Sequence, residues 1–321
     1  MMKKQLFILL LLTVLLLVAC SDKEIVKDVS DSDKLTVYTT VYPLQYFTER
    51  IGGDHVEVKS IYPPGSDEHT FEPTQKEMMA LADSDLFFYI GLGLEGFVNN
   101  AEKTLESEHV KMIATAEAIT EDMLHEDPEL DHAKDESHEE AEHDHGVIDP
   151  HVWISPVLSD ALAYAIKEAL IKIEPDKKAD FEANFEALRD DLLKLDRKFL
   201  DMASKASAKT FFVSHAAFGY IADTYGLEQV AIAGLNSQNE PSQKQLASLV
   251  KYASEHDVKY VLFEQNVSSK LTDVIRKEIG AESLMLHNLG ILTADDIKNE
   301  EDYFSLMEMN IATLEKALNK Q

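Results

Sequence analysis

From Pro156 to Ala203 apolar residues recur at helical spacing, and the pattern breaks once, at Glu174-Pro175, where proline suits the first turn of a second helix. That second helix, through FEANFEALRDDLLKLDRKFLDMAS, runs about thirty residues counted from Pro175, so at roughly 1.5 Å per residue it is on the order of 40 Å long. A bar of that length can bridge two lobes, and the flanking sequence supplies two. Before it, LTVYTT, VEVKSIYP, DLFFYIG and VKMIAT read as strands. Helices between them cover Pro43 to Ile51, stopped by Gly52-Gly53, then QKEMMALADS, then Phe97 to Leu105. After the bar, strands KTFFVSH, EQVAIAGL, VKYVLFEQ and ESLMLHNL alternate with helices at Tyr220 to Tyr225, Ser242 to Glu255 and Ser269 to Ile279, and a closing helix starts near Tyr303. Strand alternating with helix predicts the α/β class, with two lobes that are each a parallel sheet flanked by helices. The chain has 321 residues and 45% hydrophobic content, enough for two packed cores.

The start of the chain is of another kind. Met1 to Lys4 are basic, Leu6 to Leu17 form an apolar run too short for a membrane span, and Leu17-Val18-Ala19-Cys20 ends it. Residues 1–19 are therefore expected to be a lipoprotein signal peptide and Cys20 the lipidated residue. A flexible tether follows at 20–33. The N-terminal lobe is expected at 34–155, its alternation ending near Thr115, the helical segment at 156–207 and the C-terminal lobe at 208–321. Cys20 is the only cysteine, which excludes a disulfide within one chain. The formal charge is −29, and loss of Lys3 and Lys4 with the signal makes it −29 − 2 = −31. Such a surface repels phosphate and argues against nucleic acid as a partner, while cations become the natural small ligands.

Three of the twelve histidines fall where an open parallel sheet places its ligands, beyond the carboxyl ends of strands. They are His69 in YPPGSDEHTFEPT, His151 in IDPHVWISP and His215 closing KTFFVSH. Neutral imidazole suits zinc, and Pro63, Pro64 and Pro150 stiffen two of the loops. A lone histidine more often serves as a cap or a core hydrogen-bonder; three at corresponding strand ends argue for a metal site. A different group, His125, His132, His138, His143 and His145, lies among carboxylates in an insert at about 121–145. The insert has almost no large apolar residue, reads as a flexible loop, and its histidines suggest a low-affinity auxiliary metal site. HEEAEH from His138 to His143 is not an HExxH protease motif: residues five apart do not share a helix face as residues four apart do.

PPGSDEHTFEPT, DPHVWISP, FFVSHAAFGYIADTYGLEQVAIAGL, NEPS and FEQNVSS together resemble the metal-specific cluster of substrate-binding lipoproteins of bacterial ABC transporters, in its zinc-binding branch, over nearly the whole mature chain. The resemblance implies two α/β lobes joined by one long rigid helix, with Zn²⁺ between them on His69, His151 and His215. Imidazole at His215, where manganese-binding members tend to carry a carboxylate, implies zinc. It further implies a monomer held by a lipid anchor at Cys20 on the outer face of the cytoplasmic membrane, handing Zn²⁺ to an ABC permease and its ATPase, without catalysis. Affinity is expected to weaken below about pH 6, as imidazoles protonate. One departure stands out. Members of the family commonly add a carboxylate from the loop after the last strand, but LHNLGILTADD puts Gly290 there; water, Glu68, Asp295 and Asp296 are the alternatives, and His287 reads as structural. The rival functions are a surface zinc-storage or adhesin lipoprotein and a secreted zinc hydrolase. The hydrolase lacks an HExxH motif, a nucleophile elbow and an obvious general base.

Overall fold

Among the described residues every strand pairing is parallel, within two sheets of four strands. The computed structural model describes residues 34–125, 148–236, 241–265 and 270–319. The expected signal peptide, Cys20 and tether, and with them His132, His138, His143 and His145, lie outside the described residues.

In the first lobe β1 (Leu35–Thr39), β2 (Val56–Ser60), β3 (Leu86–Tyr89) and β4 (Lys111–Ala114) run in the order β2-β1-β3-β4. Helices cover both faces of such a sheet, so β3 reads LFFY and is buried at every position. α1 (Tyr42–Gly52) takes Pro43 in its first turn and ends where Gly53 turns to φ 53°. α2 (Gln75–Ala82) opens on a Thr74–Glu77 capping box, and α3 (Val98–Leu105) leads to β4.

α4 (Pro156–Ile173) is capped by Ser155. A short turn at Pro175–Lys177 then precedes α5 (Lys178–Lys205), the expected bar, 28 residues long. Its buried residues Phe181, Phe185, Leu188, Leu192, Leu195, Phe199 and Met202 recur every three or four positions and form one stripe. The helix contacts both lobes. On one side Arg50 of α1 pairs with Asp191 at 3.0 Å. On the other Phe199 stacks on Tyr225, with ring centroids 5.1 Å apart and planes 12° from parallel.

The second lobe repeats the topology: β5 (Thr210–His215), β6 (Glu228–Ala233), β7 (Tyr260–Phe263) and β8 (Glu282–Met285) lie in the order β6-β5-β7-β8. Its helices are α6 (Gly219–Tyr225), α7 (Gln243–Glu255), α8 (Lys270–Ile279), α9 (Ala294–Lys298) and α10 (Tyr303–Leu318). A continuous core runs from Leu35 to Leu318 through α1, α4, α5 and α10. A second, smaller cluster of Phe212, Ile232, Ala253, Val261, Ile275 and Ala281 fills the far side of the second sheet. Two α/β lobes joined by one long helix are thus the architecture.

The sequence expectation needs correction at the start of the insert. Glu121–Met123 form a 3₁₀ turn and Leu124 packs on the core, so Glu121 to His125 belong to the body. Leu124 supplies this apolar contact, while Met123 is exposed.

Candidate metal centre

In both sheets the chain leaves the first strand toward one neighbour and returns to pair on its other side, which opens a crevice at the carboxyl ends of β1 and β5. His215 is the last residue of β5, flanked by β6 and β7 and fully buried. His151 lies between Pro150 and the tight turn Val152–Ile154; its neighbour Trp153 is fully buried. His69 comes from the loop after β2. There Gly65 turns at φ 81°, and the Asp67 side chain accepts the His69 backbone N–H at 2.9 Å, closing a local turn.

These segments bring the three imidazoles together. His69 Nε2 lies 3.3 Å from His151 Nε2, which lies 3.2 Å from His215 Nε2. The opposite ring nitrogens explain why. His151 Nδ1 lies 2.8 Å from Asp149 Oδ1, and His215 Nδ1 lies 2.6 Å from Glu264 Oε1. A carboxylate can only accept, so each Nδ1 carries the proton and each Nε2 turns a lone pair inward. Lone pairs at that separation repel unless a cation lies between them. Four nitrogens at about 2.0 to 2.1 Å around a tetrahedral ion stand roughly 3.3 Å apart, the spacing found here. Among the described residues this is the one cluster of three or more histidine, cysteine or acidic side chains with such mutual reach.

The electrostatics differ ring by ring. Burial, with the neighbouring His151 and His215, holds His69 down at about 3. Burial also presses on His215, but the charge and hydrogen bond of Glu264 outweigh it and the net shift is upward. Glu264 resists its own burial through His215, Ser214 and Asn288 and stays below the ordinary carboxylate value.

Glu68, next to His69, is buried, and burial pushes it up to about 7. Its carboxylate occupies the space beside Gly290, where a Cβ would meet Glu68 Oε1 at 2.8 Å. The other carboxylates considered from sequence are placed elsewhere. Asp296 caps α9 through Thr293 and pairs with His287 at 3.2 Å, and Asp295 is exposed. His287 is held by Asp296 and Gln265 in a structural role. Sequence reasoning missed Asp149 and Glu264 as supports for the histidines. The signals were a D-x-H spacing, and a glutamate ending VLFE on the strand beside the one that His215 ends.

His125, at the foot of the histidine-rich insert, stacks on Tyr220 with centroids 4.5 Å apart. Its Nδ1 is 2.9 Å from Asp223 Oδ2, an ion-pair contact not aligned as a hydrogen bond. Its carbonyl accepts the Asp149 N–H at 2.9 Å, which closes the two feet of the insert on each other.

Comparison with known proteins fits this arrangement. Residues 37–317 match the family described as ZnuA, zinc-uptake complex component A, periplasmic. The chain belongs to the ZnuA family. It is 37% identical over 326 residues to the zinc-binding lipoprotein AdcA of Streptococcus pneumoniae, an alignment covering 100% of this chain and 62% of that protein. It is also 37% identical over 309 residues to the high-affinity zinc uptake system protein ZnuA of Bacillus subtilis, covering 94% of each. The crystal structure of Zn(II)-bound AdcA from Streptococcus pneumoniae superposes with a TM-score of 0.74 at 34% identity, over 90% of this chain and 58% of that one. The chain thus spans less than two thirds of the length of the streptococcal relative.

Proposed function

We propose that this protein captures Zn²⁺ outside the cytoplasm and delivers it to an ABC permease driven by its ATPase. The observation that carries the reading is the convergence of His69, His151 and His215 on one point through Nε2, with two of the rings locked in the required tautomer by Asp149 and Glu264. We assign the three imidazoles as zinc donors. Glu68, buried, next to His69 in the chain and within charge range of His215, is the carboxylate we propose to complete the set. Three nitrogen donors select a borderline ion such as Zn²⁺ over harder manganese.

The remaining parts of the reading follow from it. Cys20 anchors the chain by lipid to the outer face of the cytoplasmic membrane, residues 20–33 act as the tether, and the protein works as a monomer. His125, His132, His138, His143 and His145 form a low-affinity collector beside the tight site. Asp149 and Glu264, the carboxylates hydrogen-bonded to the ring nitrogens, are committed to the histidines. Neither is free to activate a water, so a binding role rather than hydrolysis is the proposal.

Competitive zinc titration against a chelator tests the reading, with His69→Ala, His151→Ala and His215→Ala compared with the parent chain. One tight site lost or greatly weakened by each change, with weak sites remaining, is the expected result. Tight binding that survives all three changes would move the site into the insert and make the protein a zinc buffer.

A further inference from the structure

Beyond the three imidazoles, the supporting hydrogen bonds converge on Asn288. This side chain is 2% exposed, and both of its polar atoms are engaged. Nδ2 donates to Glu68 Oε1 at 3.1 Å and to Glu264 Oε2 at 2.8 Å, while Oδ1 accepts the Gly290 N–H at 3.0 Å. The partners fix the orientation of the amide: flipped, its carbonyl would face two carboxylates and its NH₂ would face an N–H. The main chain around it is seated on the first lobe. The Asn288 carbonyl accepts the Trp153 indole N–H at 2.7 Å, and the Gly290 carbonyl accepts the Tyr42 N–H at 2.9 Å.

One residue of the second lobe therefore contacts a neighbour of each histidine. Glu68 adjoins His69 in sequence, Glu264 holds His215 Nδ1, and the Trp153 ring lies 5.3 Å from the His151 ring, centroid to centroid. We propose that Asn288 is a positioning residue of the metal centre, its single amide tying the carboxylate beside His69 in one lobe to the carboxylate that orients His215 in the other. The inference rests on the zinc-capture reading.

The chemistry of the side chain fits this task. Two buried carboxylates that share a neighbour repel each other, and each oxygen without a donor is costly to bury. A primary amide places one N–H on each of them without adding charge, and its carbonyl remains to hold the Gly290 backbone. This leaves Glu264 Oε1 for His215 and Ser214. An aspartate in the same place would add a third negative group and could donate to neither; a serine reaches one partner at most.

The test uses the full chain with Asn288→Ala, which gives water room to reach the two carboxylates, and Asn288→Ser as a second variant. Three readouts are needed: zinc affinity by chelator competition, the visible absorption of the Co²⁺-loaded protein, and the melting temperature without metal. A residue that only holds the fold together moves the melting temperature alone. A positioning residue also changes the cobalt bands, which report ligand geometry, and raises the zinc dissociation constant by about tenfold to a hundredfold, the usual effect of losing an outer partner of a metal ligand. A folded variant with the parent's cobalt spectrum and zinc affinity overturns the proposal. Failure of both variants to fold does so as well, since it assigns the amide to folding. If the parent itself bound no zinc tightly and gave no tetrahedral cobalt spectrum, the zinc-capture reading would fall instead.

Discussion

Glu68 and Gly290 share one space from opposite lobes: a Cβ built at 290 comes within 2.8 Å of Glu68 Oε1 and 2.9 Å of its Cδ. Gly290 does not have a positive φ, so crowding rather than backbone strain excludes a side chain there. The space beside Gly290, in the loop where the resemblance places an acid, is thus filled by an acid from the loop after β2. That space has room for only one of the two side chains.

Gly290→Asp is therefore expected to displace Glu68 and weaken zinc binding by about tenfold, within the range for disturbing the partners of metal ligands. Gly290→Asp combined with Glu68→Ala removes the collision and lets the acid come from the other side, so affinity should recover. A double variant that binds no better than the single one, in chelator competition, would show that the two positions are not interchangeable.

The pH dependence has a definite sign. Zinc needs neutral imidazole, and His215, although pressed down by burial, is raised above 6.5 by Glu264. Its proton therefore competes with the ion as pH falls, and affinity should begin to drop above pH 6.5, earlier than an ordinary imidazole would cause. Glu68, pushed up to about 7, takes up a proton over the same range. His69, held at about 3, stays neutral throughout and contributes nothing. Glu264→Gln leaves burial dominant at His215 and should move the onset to lower pH. Calorimetric titrations in buffers of different ionisation heat from pH 8 to 5 would measure the protons released; a flat profile would exclude His215 as a ligand.

Much of this centre was legible because parallel strands buried on both faces read as apolar runs, and a histidine that ends such a run, as in FFVSH, is conspicuous. The supports were harder to see because they act across the chain. Glu264 meets His215 from 49 residues away, and Asn288 meets Glu68 from 220. The glutamate ending VLFE is visible in the sequence, but nothing beside it in the chain names His215 as its partner, and nothing near Asn288 names Glu68. Gly290 was visible as a gap in an expected pattern, but what fills the gap comes from the other lobe. At the start of the insert, carboxylate density masked Leu124, which packs on the core, and His125, which stacks on Tyr220.

Asp149→Asn keeps an oxygen facing His151 Nδ1 but removes the charge that makes the ring a better donor. Zinc affinity should fall by about tenfold or more with little change in the melting temperature of the metal-free protein. An unchanged affinity would mean that the backbone turn alone, through the His151 N–H to Asp149 Oδ1, orients the ring.

Phe199 of the long helix is fully buried and stacked on Tyr225, so it fastens α5 to the second lobe. Phe199→Ala should cost about 3 to 5 kcal/mol in denaturant unfolding, the range for truncating a buried aromatic. A cost near zero would show that the bar is held to this lobe by other contacts.

The histidine-rich insert can be removed without stretching the body, because the His125 carbonyl and the Asp149 N–H at its feet are already hydrogen-bonded at 2.9 Å. Replacing residues 126–147 by a short glycine linker should therefore leave the tight site and its affinity intact. If the insert is a collector, the weak zinc equivalents disappear from the titration and uptake by intact cells falls only when zinc is limiting. Unchanged weak binding together with unchanged uptake at limiting zinc would reduce the insert to an acidic solvated loop. Loss of the tight site would mean that the insert supplies a donor that the three-histidine cluster lacks.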